Sequence, residues 1–257
     1  MLLAVLAVAL LAGGAWGISR ALRPAPPAPF CTATDGGSTL TLTPEQARNV
    51  TTIAAVAARD GLPSHAVTVA VATALQESGL ENLAYGDRDS LGLFQQRPSQ
   101  GWGTPAQIQD PAYASAAFFG RLVQVSGWED LPVTVAAQRV QRSALPEAYA
   151  DWETSARLLA RTLTGEVPGG FTCSGVAAAD TATPLGPGAD RELGTSSLSG
   201  TRGRRAGWTT ASWVLARAGS ARVDAVDFGG QRWTAASGRW TTVPGSRALD
   251  VHVLPAD

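Results

Sequence analysis

A chain of 257 residues, 45 % hydrophobic and 16 % charged, can enclose one sizeable core or two modest ones, and two modules are the preferred division. Its 20 basic side chains are all arginine and stand against 21 acids, for a formal charge of −1. No cationic field of the kind that tracks a phosphate backbone is available, which excludes nucleic acid as a partner.

Met1 to Ile18 hold no charge and are mostly Leu, Ala and Val, long enough for a marginal transmembrane helix or the apolar part of a signal peptide. Both imply export. The basic residues that usually precede such a run are missing, and Arg20 and Arg23 follow it instead. Cys31 comes after Pro29-Phe30 rather than a small-residue cleavage box, which disfavours a lipid anchor. Residues 1–22 are therefore expected to anchor the chain in the membrane, facing outward, or to be removed on secretion. A proline-rich linker is expected over 23–40.

The two cysteines, Cys31 and Cys173, flank the segment that follows. In an exported protein they are expected to pair, with a disulfide worth about 4–5 kcal/mol in the loop-entropy model. Only His65 and His252 could join them in a metal site, and neither lies at ligand spacing from a cysteine, so no metal or other cofactor is expected.

Thr43-Pro44-Glu45-Gln46 reads as an N-cap, a proline at the first helical position and a capping-box glutamine, opening a helix that ends near Gly61. Ser64 is read as the cap of a second helix, His65 to Gln76, apolar nearly all round as in a helix at the centre of a domain. Glu77 closes it. Gly79 to Leu91 is a polar loop and Gly92 to Gln96 a short helical turn. Asp110-Pro111 starts another helix, and Pro132 and Pro146 are placed as the first residues of two more, the last carrying Tyr149 and Trp152 and running to about Leu163. Residues 174–205, rich in Gly, Pro, Ser, Thr and Ala, read as a linker. Beyond it the period changes. Trp208 to Ala218 fits an amphipathic helix, and Val223–Phe228, Gln231–Ala235 and Leu249–Leu254 fit strands around the hairpin signal Gly229-Gly230. The predicted fold is a mainly α domain over 41–173, then a small α+β domain over 206–257.

Gln76-Glu77-Ser78-Gly79-Leu80 and Gly92-Leu93-Phe94-Gln95-Gln96 together put one carboxylate at a helix end and a glutamine 18 positions later. Val71, Ala74 and Leu75 would desolvate Glu77, and the helix's own C-terminal partial charge would also favour its neutral form. Such an acid can donate a proton near neutral pH. The plainer reading is a solvated helix-end acid. The pattern resembles the catalytic module of lytic transglycosylases in the lysozyme superfamily, whose Glu-Ser, loop and Gly-Leu-Met-Gln have the same spacing, with Phe94 here in place of Met. That resemblance implies a lysozyme-like domain that cuts the bond between N-acetylmuramic acid and N-acetylglucosamine in peptidoglycan glycan strands. One glutamate, Glu77, would serve as acid and then base while the substrate's own 6-hydroxyl attacks. Ser78 would orient Glu77, and Gln95 with Gln96 would bind substrate from the facing wall.

Asp87 and Asp89 are the alternatives that would make the enzyme a muramidase, since either could serve as a second carboxylate, although loop aspartates more often cap turns. Downstream the chain departs from the family's Ala-Tyr-Asn-Ala-Gly stretch. Gln138, Gln141 and Ser143 could donate to acetamido groups, and Gln141-Arg142-Ser143 followed by Pro146 and Tyr149 is similar to actinobacterial lysozyme-like modules. Tyr149 either faces the glutamate or fills the core. Trp102, in the glycine-rich loop Arg97 to Gly103, either stacks on sugar or plugs the fold.

The C-terminal segments Ala206-Gly207-Trp208, Val226-Asp227-Phe228-Gly229-Gly230 and Asp250-Val251-His252 resemble the zinc D,D-carboxypeptidase-like domain. The family's second histidine is missing, so an inactive, structural or wall-docking unit is expected. The partners implied are glycan strands and, through the N-terminal helix, a membrane. A catalytically silent wall-binding or scaffold protein of an envelope machine is the alternative function.

Overall fold

In the computed structural model, which describes residues 28–143, 147–245 and 247–255, the chain begins as a β-hairpin. Strands β1 (Phe30–Asp35) and β2 (Ser38–Leu42) pair antiparallel with Asp35 opposite Ser38. Gly36 (φ 55°) and Gly37 (φ 89°) supply the two left-handed residues that a two-residue hairpin turn demands. The linker expected over 23–40 is therefore strand from Phe30 onward. Cys31 and Ala33 alternate inward between partly or fully exposed neighbours, a period of two that the preceding prolines obscured. Strand β3 (Phe171–Ser174) pairs with the other edge of β1, Cys31 directly opposite Cys173, and the expected disulfide joins them. Such a bond suits an oxidising compartment.

Helix α1 (Pro44–Arg59) opens with the complete capping box: Gln46 N–H donates to Thr43 Oγ1 (3.2 Å) and Thr43 N–H to Gln46 Oε1 (3.0 Å). Helix α2 (Ser64–Ser78) starts one residue earlier than the sequence suggests, with Pro63 at the cap and Ser64 inside the first turn. From Ala66 to Leu75 every residue is buried, because α2 is enclosed by its neighbours in sequence and space. These are α1, α4 (Pro111–Leu122), α5 (Val133–Gln141) and α6 (Glu153–Leu163), while the short α3 (Pro105–Ile108) lies against α4. Pro111 sits at the first position of α4 as expected, whereas Pro132 is the cap of α5 and Val133 its first residue. Pro146, and the segment 1–22 read as an anchor or signal, lie outside the described residues. The last helix of this part is shorter than its prediction: a 3-10 turn at Ala150–Trp152 precedes α6, so Tyr149 and Trp152 stand before the helix. Gly92 to Gln96 is a turn closed by a Leu91–Gln96 bridge instead of a helical one.

Residues 174–205 contain helix α7 (Gly186–Leu193), which packs on α1 and sends the buried Glu192 into the interior. Glu192 Oε2 accepts from Thr52 Oγ1 (2.6 Å), Trp213 Nε1 (2.8 Å) and Arg217 Nη2 (2.8 Å). A segment whose composition signalled a linker is thus tied into the core through Glu192, with Arg191 adding an ion pair to Asp110. Helices α8 (Arg204–Leu215) and α9 (Ala218–Ala221) follow. A four-stranded antiparallel sheet ends the chain, in the order β6 (Arg239–Thr242), β5 (Gln231–Thr234), β4 (Val223–Phe228), β7 (Asp250–Val253). Strand β6 escaped the sequence analysis. Trp233 Nε1 donates to Cys173 O (3.1 Å) and Trp240 Nε1 to Phe171 O (2.8 Å), so this sheet is docked on β3, and one apolar core extends from Cys31 to Leu249. The architecture is mixed, helices with two small antiparallel sheets, so the expected mainly α part holds from Pro44 to Leu163 while β1, β2 and β3 add a sheet at its edge. Among the described residues no helix is long and apolar enough to cross a membrane.

Candidate active site

The C-terminal end of α2 is held from three sides. Gly79 takes the left-handed conformation (φ 64°) with its N–H bonded to Leu75 O (3.0 Å), and Leu80 N–H reaches Ala74 O (3.1 Å), so the chain turns sharply just after Glu77-Ser78. Side chains of α1 satisfy carbonyls beyond the turn: Gln46 Nε2 donates to Gly79 O (2.9 Å) and Asn49 Nδ2 to Leu80 O (2.7 Å). Ser78 Oγ lies 2.7 Å from Leu93 O and 3.0 Å from Ala74 O, which ties the helix end to the facing turn. Ser78 therefore fixes backbone and does not bond the Glu77 carboxylate, in contrast to the role the resemblance implied.

Glu77 is mostly buried, and burial, the largest influence, raises the pKa of its carboxyl above the ordinary 4.5. Two donors oppose that shift. Tyr149 donates its hydroxyl to Glu77 Oε1 (2.7 Å), and Gln141 Nε2 lies 3.4 Å from the same oxygen while donating to Phe94 O (2.7 Å). Both contacts fall on Oε1. Tyr149 is itself fully buried, and burial followed by the adjacent Glu77 charge raises its pKa, so it stays a phenol and a donor. Of the residues that sequence put in the site, Gln141 and Tyr149 reach Glu77.

Gln95 sits at the tip of the facing turn in the left-handed region (φ 47°), its amide donating to Gly92 O (3.2 Å) and Tyr85 O (3.3 Å). It remains partly exposed. Gln96 is a correction: it is 1 % exposed and donates to Ala114 O (3.0 Å), an interior brace between the turn and α4 that cannot meet a ligand in solution. Trp102 is a second correction. It is 5 % exposed, and the Arg121 guanidinium stands 3.4 Å above its ring, so the face that would have stacked on sugar is covered. Gln138 donates to Ser143 O (2.8 Å), shaping the exit of α5 and making no contact with the glutamate.

Neither proposed second carboxylate is hydrogen-bonded into the cluster around Glu77. Asp89 Oδ1 accepts from Arg97 Nε (2.8 Å) and Oδ2 from the Ser99 N–H (2.8 Å), and these partners, Arg97 first, hold its pKa far below the usual carboxylate range. Asp87 is exposed, 3.9 Å from Arg88. Among the described residues, Glu77 is the one acid in contact with Tyr149 and Gln141.

A flanking contact escaped the sequence analysis: Trp152 Nε1 donates to Gln76 Oε1 (2.8 Å), joining the residue before Glu77 to the 3-10 turn. Gln76 was visible in the motif, but nothing in the spacing announced that Trp152 would cross to it.

In the C-terminal sheet, Asp227, Asp250 and His252 bring their ligand atoms within 4.8 Å of one another, a convergence not evident from their spacing. Arg232 occupies both oxygens of Asp227 (2.7 and 2.6 Å), and His252 Nε2 lies 2.7 Å from Asp227 Oδ2. The cation neutralising Asp227 is thus the guanidinium, the first cause of its lowered pKa, and this donor set fits an ion-pair cluster better than zinc.

No protein-family model and no curated protein matches the chain.

Proposed function

We propose that the chain is an exported peptidoglycan-cleaving enzyme of the lytic transglycosylase type, acting on the bond between N-acetylmuramic acid and N-acetylglucosamine, with a lysozyme-like helical module as its catalytic part. The observation that carries this reading is the Glu77 carboxyl, desolvated at a helix end and held on one oxygen by Tyr149 and Gln141. Burial keeps a proton on it at pH values where an exposed glutamate is ionised. The Glu77 carboxyl then protonates the glycosidic oxygen as the bond to C1 breaks. The resulting carboxylate, stabilised by the Tyr149 hydroxyl and the Gln141 amide, takes the proton of the muramic 6-hydroxyl as that oxygen closes on C1, which leaves a 1,6-anhydro end and restores the acid.

A muramidase would need a second carboxylate beside the sugar. Asp89 is fastened to Arg97 and Ser99, and Asp87 points into solvent, which favours the one-acid scheme. The C-terminal sheet, with Arg232 seated on Asp227, is assigned a structural or wall-docking role.

Digestion of purified peptidoglycan by the full chain and by Glu77→Gln, with products read by mass spectrometry, tests the proposal. Anhydromuramyl ends that vanish in the variant are expected. Reducing ends would make the protein a hydrolase, and no product from the wild type, with the folded protein retained on the wall, would replace the enzyme by a binding protein.

A further inference from the structure

With Trp102 covered by Arg121, the aromatic that the loop around the site offers to solvent is Tyr85, 72 % exposed at the tip of the 79–91 loop. Single exposed aromatics are common on protein surfaces and mean little alone. Tyr85 differs in how firmly its backbone is held and in what holds it. The loop's first half is pinned by Asn82, whose N–H donates to Glu45 Oε1 (3.1 Å) and whose amide donates to Gln109 O (2.8 Å), and by Gln109 Nε2 on Leu83 O (2.7 Å). Its second half is pinned by Asp89 on Arg97 and Ser99. Between these anchors, the carbonyl of Tyr85 itself accepts from Gln95 Nε2 (3.3 Å), and a Cβ on the next residue, Gly86, would collide with the Gln95 side chain.

Glu77, Gln141, Phe94, Gln95 and Tyr85 form one chain of contacts or adjacent residues, so the backbone that carries the ring is fixed relative to the acid. The ring makes no hydrogen bond or ring contact with the described residues. A tyrosine ring on a backbone held in place has two side-chain torsions to order and so gives contact area at low conformational cost, and its face suits the apolar C–H face of a pyranose.

We propose that Tyr85 is the stacking platform for an N-acetylhexosamine ring of the glycan bound away from the scissile bond, a specificity-determining residue beside Gln95. This rests on the glycan reading of Glu77. The test uses the full chain carrying Glu77→Gln, titrated with N-acetylglucosamine hexamer while the Tyr85 ring resonances are followed by NMR. Saturable binding that shifts those resonances is expected, weakened about fivefold to tenfold by Tyr85→Ala and changed less than about twofold by Tyr85→Phe, since the ring and not the hydroxyl does the stacking. Binding that leaves the ring unmoved, or that Tyr85→Ala does not weaken, overturns the platform while the glycan reading stands. Absence of hexamer binding in every variant overturns it too, and peptidoglycan digestion then judges the glycan reading separately.

Discussion

The Tyr149 hydroxyl donates to Glu77 Oε1 at 2.7 Å across 72 residues of chain, and it favours the charged form of a carboxyl that burial would keep neutral. Tyr149→Phe removes that donor, so the Glu77 pKa rises further. Activity that needs a protonated Glu77 falls as pH climbs through that pKa, so the alkaline limb of kcat/KM in the variant should move to higher pH. The plateau should drop about tenfold, because the carboxylate formed in the first step loses its support. A pH profile on soluble glycan chains checks both effects, and a limb that stays in place would remove Tyr149 from the site's proton balance.

Glu77→Gln should stabilise the fold while abolishing cleavage. The folded-state pKa lies above the ordinary 4.5, so the native protein holds a proton that the unfolded chain releases, and wild-type stability declines as pH rises from about 4.5 through the raised value. A neutral glutamine has no such decline. Melting curves at pH 7 should favour the variant by on the order of 1 kcal/mol, roughly 2–4 °C, and the gap should close at pH 4.

Asp89→Asn separates an anchoring aspartate from a catalytic one. Losing the ion pair with Arg97 loosens the loop and should lower turnover about tenfold or less, with anhydro products unchanged. A second acid or base at the reacting sugar would instead give a loss of about 10² to 10⁴. Product analysis and initial rates on the same substrate distinguish the two.

Glu192→Ala should destabilise the protein by about 3–5 kcal/mol in urea unfolding, because it leaves Arg217 buried beside Thr52 and Trp213 without its counter-charge. Burial already pulls the Arg217 pKa down to about 10, with Glu192 working against it. The double variant Glu192→Ala with Arg217→Met should recover part of the loss, as expected for a coupled pair.

What the sequence revealed of the site depended on how local each signal was. The burial of α2 and the position of Glu77 at its end were legible, because ten consecutive small or apolar residues admit few other placements. The Thr43 capping box and the Gly229-Gly230 turn were legible for the same reason. Trp102 was ambiguous because the residue that covers it, Arg121, lies on helix α4, outside its own loop. Gln96 looked like a partner of Gln95, and only the α4 carbonyl at Ala114 shows which way it faces. The linker assignments failed where composition misled. Thr-rich β1 and β2 follow prolines, and α7 sits among Gly and Pro with its one decisive residue, Glu192, answering to partners as far as 140 positions away.

The Cys31–Cys173 bond also defines a path for mechanical load. Tension applied at Phe30 passes within one residue to β3, and from β3 through Trp233 and Trp240 into the C-terminal sheet. The helices bearing Glu77 and Gln141, and the turn bearing Tyr149, lie inside the 142-residue covalent loop, in parallel with that path rather than along it. A pull between the two ends of the molecule would therefore strain the sheets before it stretched the distance from Tyr149 to Glu77.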